Sequence, residues 1–178
     1  MNHIKCLQDD TGAWQDDPQK IKELVVDYYQ HLFSEECATN QAGQPRAAEF
    51  PSLSPTFLRE LEKPFTREDV QLALQGMHPY KAPGPDGFQA VFFQRYWHIV
   101  EGEVCSTVLR VLQGSELPEG MNNTYITLIP KVPNLEKVTQ LRPIGLFNVA
   151  YKLVTKCIVN RLKRVLPELI SPMQSSFI

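Results

Sequence analysis

The feature that most limits how this chain can fold is a seven-residue segment, Lys81–Gly87, which contains two prolines and two glycines. Proline fixes φ and glycine enters turns freely, so the segment predicts a rigid, tightly turned loop. The loop must end the helix predicted before it, where Thr66–Asp69 resembles a capping box and precedes an apolar stripe. Aromatic-rich helical sequence follows, from Phe88 through Trp97 to Leu112. Helices on either side of one rigid loop are therefore expected.

Capping residues and apolar periodicity predict three further helices. The first begins at the cap Asp17 and runs to about Ser34, and a short one covers Pro55–Glu62. The last begins at the cap Asn148 and continues to about Leu166. The stretch between the first two, 37–55, is rich in Ala, Gln, Gly, Ser and Pro and predicts a linker.

Two segments, Tyr125–Pro130 and Leu141–Leu146, have the apolar and β-branched composition of strands. The residues between them, Val132–Gln140, are long enough for a flexible hairpin tip. Each strand contains a proline, which disfavours the centre of a sheet. The predicted fold is thus α+β and mainly helical, with one small antiparallel hairpin.

Composition indicates an ordinary folded protein, with 43% hydrophobic and 21% charged residues among 178. The longest run without a charge is eleven residues, Gly120–Pro130, where a membrane span needs about 20. The start of the chain lacks a signal-peptide core, so we expect an intracellular protein, cytoplasmic or nuclear and not at a membrane. The four cysteines form no C-x-x-C pair, which argues against a disulfide framework or a zinc site.

Charge is distributed unevenly along the chain. Residues 1–80 carry 7 basic and 13 acidic side chains, and residues 81–178 carry 11 basic and 7 acidic ones. A basic C-terminal part favours a polyanionic partner, although a solvated surface gives the same imbalance.

Five motifs, taken together and in order, resemble the N-terminal reverse-transcriptase motifs of LINE-type (non-LTR) retrotransposons. Gly145 and Phe147 depart from the family, which usually has Ser and Cys at these positions. The resemblance covers nearly the whole chain. The motifs are Lys81–Phe88, Leu128–Lys131, Leu141–Ile144 with Asn148–Lys152, Asn160–Leu162, and Gln174–Phe177.

The resemblance implies a helical N-terminal extension or linker over residues 1–63. It also implies a partial reverse-transcriptase domain, the fingers and the start of the palm, over residues 64–178. The family's palm binds two metal ions through aspartates, whereas the last aspartate here is Asp86. We therefore expect a fragment truncated before the catalytic palm and inactive alone, with no cofactor of its own. Mg²⁺ is expected for the full-length enzyme.

In the resembled enzymes the hairpin carrying Lys131 and Arg142 closes over the incoming deoxynucleotide triphosphate. Arginine binds phosphate oxygens through a planar fork and lysine supplies a mobile charge, which suits nucleotide binding. Two ordinary solvated charges on an edge hairpin remain the alternative.

Template binding is predicted for a second set of cations. At 100° per residue, Lys152, Lys156 and Lys163 form a stripe opposite the apolar face of the last helix. Such a row suits the phosphates of an RNA template or RNA–DNA hybrid, and Lys81 in the Pro-Gly loop is expected near the template. A solvent-facing helix surface and a purely structural turn are the competing interpretations.

Arg161 is predicted to be structural, because the helical wheel points it into the apolar face. A lone buried charge costs several kcal/mol, so Arg161 is expected to donate to a carboxylate or to loop carbonyls. Asp86 of the Pro-Gly loop is the suggested partner, with backbone carbonyls of that loop next.

Two functions remain open from the sequence. The chain is either the fingers region of an RNA-directed DNA polymerase, able at most to contact template and nucleotide, or an inert or helical scaffold module from a truncated element. Salt-dependent binding to an RNA–DNA duplex would distinguish them.

Overall fold

The computed structural model describes residues 4–34 and 53–170, which form a mainly helical α+β structure with two small antiparallel hairpins. This confirms the predicted fold class. The predicted linker lies almost wholly outside the described residues, as does the motif Gln174–Phe177.

By packing, the chain divides into two units. The first contains the described N-terminal residues together with Ile126–Ile144, and the second contains the described residues of Glu49–Tyr125 and of Gly145 onward. This division does not coincide with the boundary suggested between residues 63 and 64, which remains a prediction about domain organisation.

The first unit begins with a hairpin of β1 (Leu7–Gln8) and β2 (Trp14–Gln15). The sequence predicts only one hairpin, because strands of two residues show no detectable alternation of apolar and polar residues. Its turn is held by the Asp9 carboxylate, which accepts from the backbone N–H groups of Thr11 and Ala13 at 2.9 and 3.0 Å.

Helix α1 (Pro18–Leu32) confirms the first predicted helix, since the Asp17 side chain caps it at Gln19 N. Its buried residues pack with Leu7, Val138 and Leu141 in the core of the first unit. The hydroxyl of Tyr29 donates to the Leu141 carbonyl oxygen at 3.2 Å, which joins α1 to the second predicted strand.

The longer hairpin pairs β3 (Thr124–Pro130) with β4 (Leu141–Phe147), close to the predicted strands. Its connecting segment ends in a short 3₁₀ turn, Val138–Gln140, which packs against α1.

The second unit is a helical bundle. Helix α2 (Pro55–Glu62) has its predicted bounds, and α3 (Arg67–Gln75) begins where the predicted capping box of Thr66 and Asp69 forms. Beyond the Pro-Gly loop, α4 (Ala90–Arg95) and α5 (Trp97–Leu112) are separated at Tyr96.

Helix α6 (Val149–Leu162) packs on both α3 and α5 and buries Leu153, Val154 and Cys157 in the core. It is shorter than predicted, and a separate turn, α7 (Leu166–Leu169), follows. Pro167 explains the break, because in a continuous helix its ring would clash with the carbonyl of Lys163 and it would have no N–H to donate there. None of the described helices is both long and apolar enough to cross a membrane.

Candidate functional site

The second unit contains a cavity of about 290 Å³ whose rim carries three lysines, Lys81, Lys152 and Lys156. We call it the lysine pocket. Lys152 and Lys156 are one turn apart on α6, and Lys81 comes from the Pro-Gly loop about 70 residues earlier. Three of the four lysines predicted to bind template therefore share one concave surface. The lining is completed by Met77, His78, Ala90, Val149, Thr155 and Val159, with Gly76 at the edge.

Lys152 is the most constrained of the three. Its ammonium donates to the carbonyl oxygen of Ala82 at 3.2 Å, so the side chain is anchored to the Pro-Gly loop. Burial lowers the pKa of Lys152, and the neighbouring Asp86 carboxylate opposes that shift while Lys81 adds to it. Lys152 and Lys156 are half-buried and Lys81 is exposed. Half-buried cations attract an anion more strongly than the same charges in open water would.

The Pro-Gly loop is held against the start of α6 by close backbone contact at Gly84. A Cβ atom at Gly84 would lie 2.3 Å from the backbone nitrogen of Asn148 and 2.5 Å from the carbonyl carbon of Phe147. Only glycine permits this approach. Gly84 thereby sets the distance between Lys81 and the two helix lysines.

Asn148 provides the polar part of the same junction. Its side-chain oxygen accepts from the backbone N–H of Asp86 at 3.1 Å, and its amide nitrogen donates to the carbonyls of Gly120 and Met121 at 3.2 and 3.4 Å. The sequence predicts that Asn148 caps α6. Asn148 does occupy the N-cap position, but its side chain makes no capping bond. The capping prediction is wrong, because the side chain instead forms hydrogen bonds with three backbone groups that are distant in sequence.

Lys163 lies apart from the lysine pocket. It follows the last residue of α6 and lines a different cavity of about 540 Å³, together with Arg161 and Arg164. The predicted stripe of three lysines is therefore divided between two surfaces.

Arg161 lies against the connection between α2 and α3. Its guanidinium donates to the carbonyls of Leu61 at 3.2 Å, Lys63, and Pro64 at 3.4 Å. It also stacks over the ring of Phe65, 3.4 Å from the centroid, and lies 3.6 Å from the Asp69 carboxylate. The expectation that this side chain bonds to carbonyls and a carboxylate is confirmed.

The prediction that Asp86 is the partner of Arg161 is wrong. The Asp86 carboxylate instead accepts from the backbone N–H of Phe88 at 3.0 Å. The Pro-Gly loop packs at the N-terminal end of α6, whereas Arg161 is in its last turn, so the two side chains belong to opposite ends of the helix.

In the first unit, Lys131 and Arg142 lie at the tip end of the longer hairpin. The backbone N–H of Lys131 donates to the Gln140 carbonyl at 2.8 Å, which aligns these residues across the hairpin. Lys131 directly follows β3 and Arg142 is the second residue of β4, so the two residues lie on the two arms of the hairpin next to its connecting segment. Both side chains are exposed, and the Lys131 ammonium donates to the Thr139 carbonyl at 2.8 Å.

Metal ligands are not gathered in the described part of the chain, where no three His, Cys, Asp or Glu side chains are placed to share an ion.

Comparison with known proteins adds one relative. The chain is 33% identical over 172 residues, 97% of its length, to a Xenopus laevis protein named Transposon TX1 uncharacterized 149 kDa protein. The chain spans 13% of that protein's length. No protein-family model matches the chain. The similarity supports an origin in a transposable element.

Proposed function

We propose that this chain is the fingers region of an RNA-directed DNA polymerase, the reverse transcriptase of a LINE-type retrotransposon, and acts within the cell. The observation that carries the proposal is the lysine pocket, in which Lys81 and Lys152, from two separate resembling motifs, line one cavity together with Lys156. Similarity to a transposon protein supports the same origin.

The pocket's chemistry suits the phosphates of an RNA template or RNA–DNA hybrid. Each lysine that meets a phosphate releases condensed counterions, so binding weakens steeply as salt rises. Lys131 and Arg142, both exposed and close to the tip of the longer hairpin, offer the separate pair of cations that would contact an incoming deoxynucleotide triphosphate. Polymerisation would need the metal-binding carboxylates of the palm and Mg²⁺ in the full-length enzyme.

Salt-dependent binding tests the proposal. Affinity for a short RNA–DNA duplex is measured between about 50 and 200 mM salt, the range over which phosphate contacts dominate. Lys156→Gln is the most informative variant because Lys156, unlike Lys152, has no bond to the Pro-Gly loop that its loss would disturb. It should reduce the slope of log K against log salt by roughly one unit.

Two further variants complete the test. Lys20→Gln removes an exposed lysine from α1 and should leave the slope unchanged, while Lys163→Gln tests whether the second cavity contributes. If the chain does not bind the duplex at low salt, the result would favour the alternative, an inert or scaffold module. With Mg²⁺ and deoxynucleotides the chain alone should not extend a primer, and extension that survives repurification and depends on Lys131 would overturn that expectation.

A further inference from the structure

The first unit carries an exposed tryptophan beside lysines, Trp14 of the short hairpin, which belongs to none of the five resembling motifs. Trp14 of β2 is 52% exposed. It lines a shallow concavity of about 1060 Å³ together with Lys5 and with the tip of the longer hairpin, which contributes Ile129, Lys131 and Asn134. Glu136 is the one carboxylate on this lining. We call this concavity the Trp14 surface.

Backbone hydrogen bonds fix Trp14 in place. Gln8, which pairs with Trp14 across the short hairpin, donates its N–H to the Glu136 carbonyl at 2.7 Å. The short hairpin is thereby joined to the tip segment that carries Lys131. The backbone that carries Trp14 is therefore held beside the tip segment in the free chain, so that part of the surface needs little ordering when a ligand binds.

We propose that the Trp14 surface binds a nucleobase together with its phosphate. The base would stack on the indole of Trp14, and Lys5 and Lys131 would hold the phosphate. An aromatic face next to cations is how proteins bind single-stranded nucleic acid without reading its sequence, since every base has a π-face. The two lysines outnumber Glu136, so the charge of the lining favours an anion.

The proposal rests on the proposed function in one respect, the use of Lys131 toward a phosphate. It adds the N-terminal hairpin, through Trp14 and Lys5, to the part of the chain that contacts nucleic acid. The same chemistry occurs in a free nucleoside triphosphate and in a single strand, and the experiment separates these two sources.

Tryptophan fluorescence tests the inference directly. The chain has two tryptophans, and Trp97 packs against the core of the second unit, so Trp97→Phe leaves Trp14 as the sole reporter. This variant is titrated in parallel with a short oligodeoxythymidylate and with thymidine triphosphate. Stacking should quench and shift the emission of Trp14. If the oligomer quenches Trp14 at a lower phosphate concentration than thymidine triphosphate does, the ligand is a single strand. If thymidine triphosphate quenches at the lower concentration, the ligand is a free nucleotide.

Affinity variants supply a second measurement. Trp14→Ala should weaken oligomer binding by about 5- to 150-fold, the usual range for loss of one stacked base, whereas Trp14→Phe should retain most of the affinity. Phe33→Ala, which truncates another exposed aromatic of the same unit, is the matched control and should bind as the parent does.

The inference is overturned if neither ligand quenches the fluorescence of Trp14. It is also overturned if the Trp14→Ala variant binds the oligomer as tightly as the parent does. Failure of the inference and failure of the proposed function give different patterns. If Lys156→Gln lowers the salt slope while Trp14→Ala changes nothing, the Trp14 surface is not a nucleic-acid site and the lysine pocket still is. If Trp14 responds to a strand and the slope is insensitive to Lys156, the reverse holds.

Discussion

Replacement of Gly84 by alanine should separate the Pro-Gly loop from α6. The added Cβ would meet three atoms at 2.3–2.5 Å, two of them backbone atoms of Phe147 and Asn148 that cannot rotate away. Forcing an extra methyl group into close-packed surroundings costs typically about 1–3 kcal/mol. Here the backbone contact places the expected loss of unfolding free energy near the upper end, at about 3 kcal/mol.

Undocking of the loop limits that cost. A loop that moves away relieves the clash but gives up the bond from Asp86 N to Asn148 and the bond from Lys152 to Ala82, each of which contributes about 1 kcal/mol. In either case Lys81 shifts relative to the helix lysines. Gly84→Ala should therefore lower both the stability and the affinity for an RNA–DNA duplex.

Urea unfolding followed by circular dichroism measures the first effect and duplex titration the second. Gly102→Ala is the matched control, because Gly102 lies within α5 with open space around its Cβ position. That change should raise stability by about 0.5–1 kcal/mol, as alanine is the better helix former. A Gly84→Ala protein as stable as the parent would refute the close approach, and one that is destabilised but binds duplex normally would refute the link to the lysine pocket.

Two other perturbations have definite expected outcomes. Arg161→Met should lower the unfolding free energy by about 2–4 kcal/mol, since charged hydrogen bonds and ring stacking are both lost, whereas Arg164→Met, at an exposed position, should cost little in the same urea titration. Hydrogen bonds from Thr11 and then Gln15 lower the pKa of Asp9 from 3.8 to about 2. The parent should therefore be more stable than the Asp9→Asn variant, with the full difference present above about pH 4. That difference should disappear as the pH falls through 2, and thermal unfolding across this pH range measures it.

Local chemistry was enough to predict most of the helices. Asp17 and Thr66 carry capping side chains with partners two or three residues away, so the starts of α1 and α3 follow from a short window of sequence. The proline-bearing strands of the longer hairpin were similarly recognisable. The hairpin of β1 and β2 was not, because its strands have two residues each and its stability depends on the Asp9 turn.

Pairings distant in sequence were harder to predict. The helical wheel correctly turned Arg161 inward, but it contains no information about which loop faces the end of α6, and the connection after α2 lies there instead of Asp86. The same wheel grouped Lys152, Lys156 and Lys163, although helix α6 ends before Lys163. Lys81 could be placed in the lysine pocket only once the docking of its loop was known.

Asn148 allows the helix-cap interpretation and the junction interpretation to be separated by one substitution. As a simple N-cap, Asn148→Asp should be neutral or stabilising, since aspartate caps as well as asparagine and its charge favours a helix N-terminus. In the structure the side chain is 8% exposed, and its amide nitrogen donates to the carbonyls of Gly120 and Met121.

A carboxylate in that position would face two carbonyl oxygens with nothing to donate, at a cost of about 3 kcal/mol or more. Burial would raise the pKa of the introduced group, so the deficit should be full at neutral pH and shrink as pH falls and the carboxyl is protonated. Urea unfolding at pH 7 and pH 5 measures both quantities. A variant as stable as the parent at pH 7 would show that Asn148 is only a helix cap and that its bonds do not hold the Pro-Gly loop.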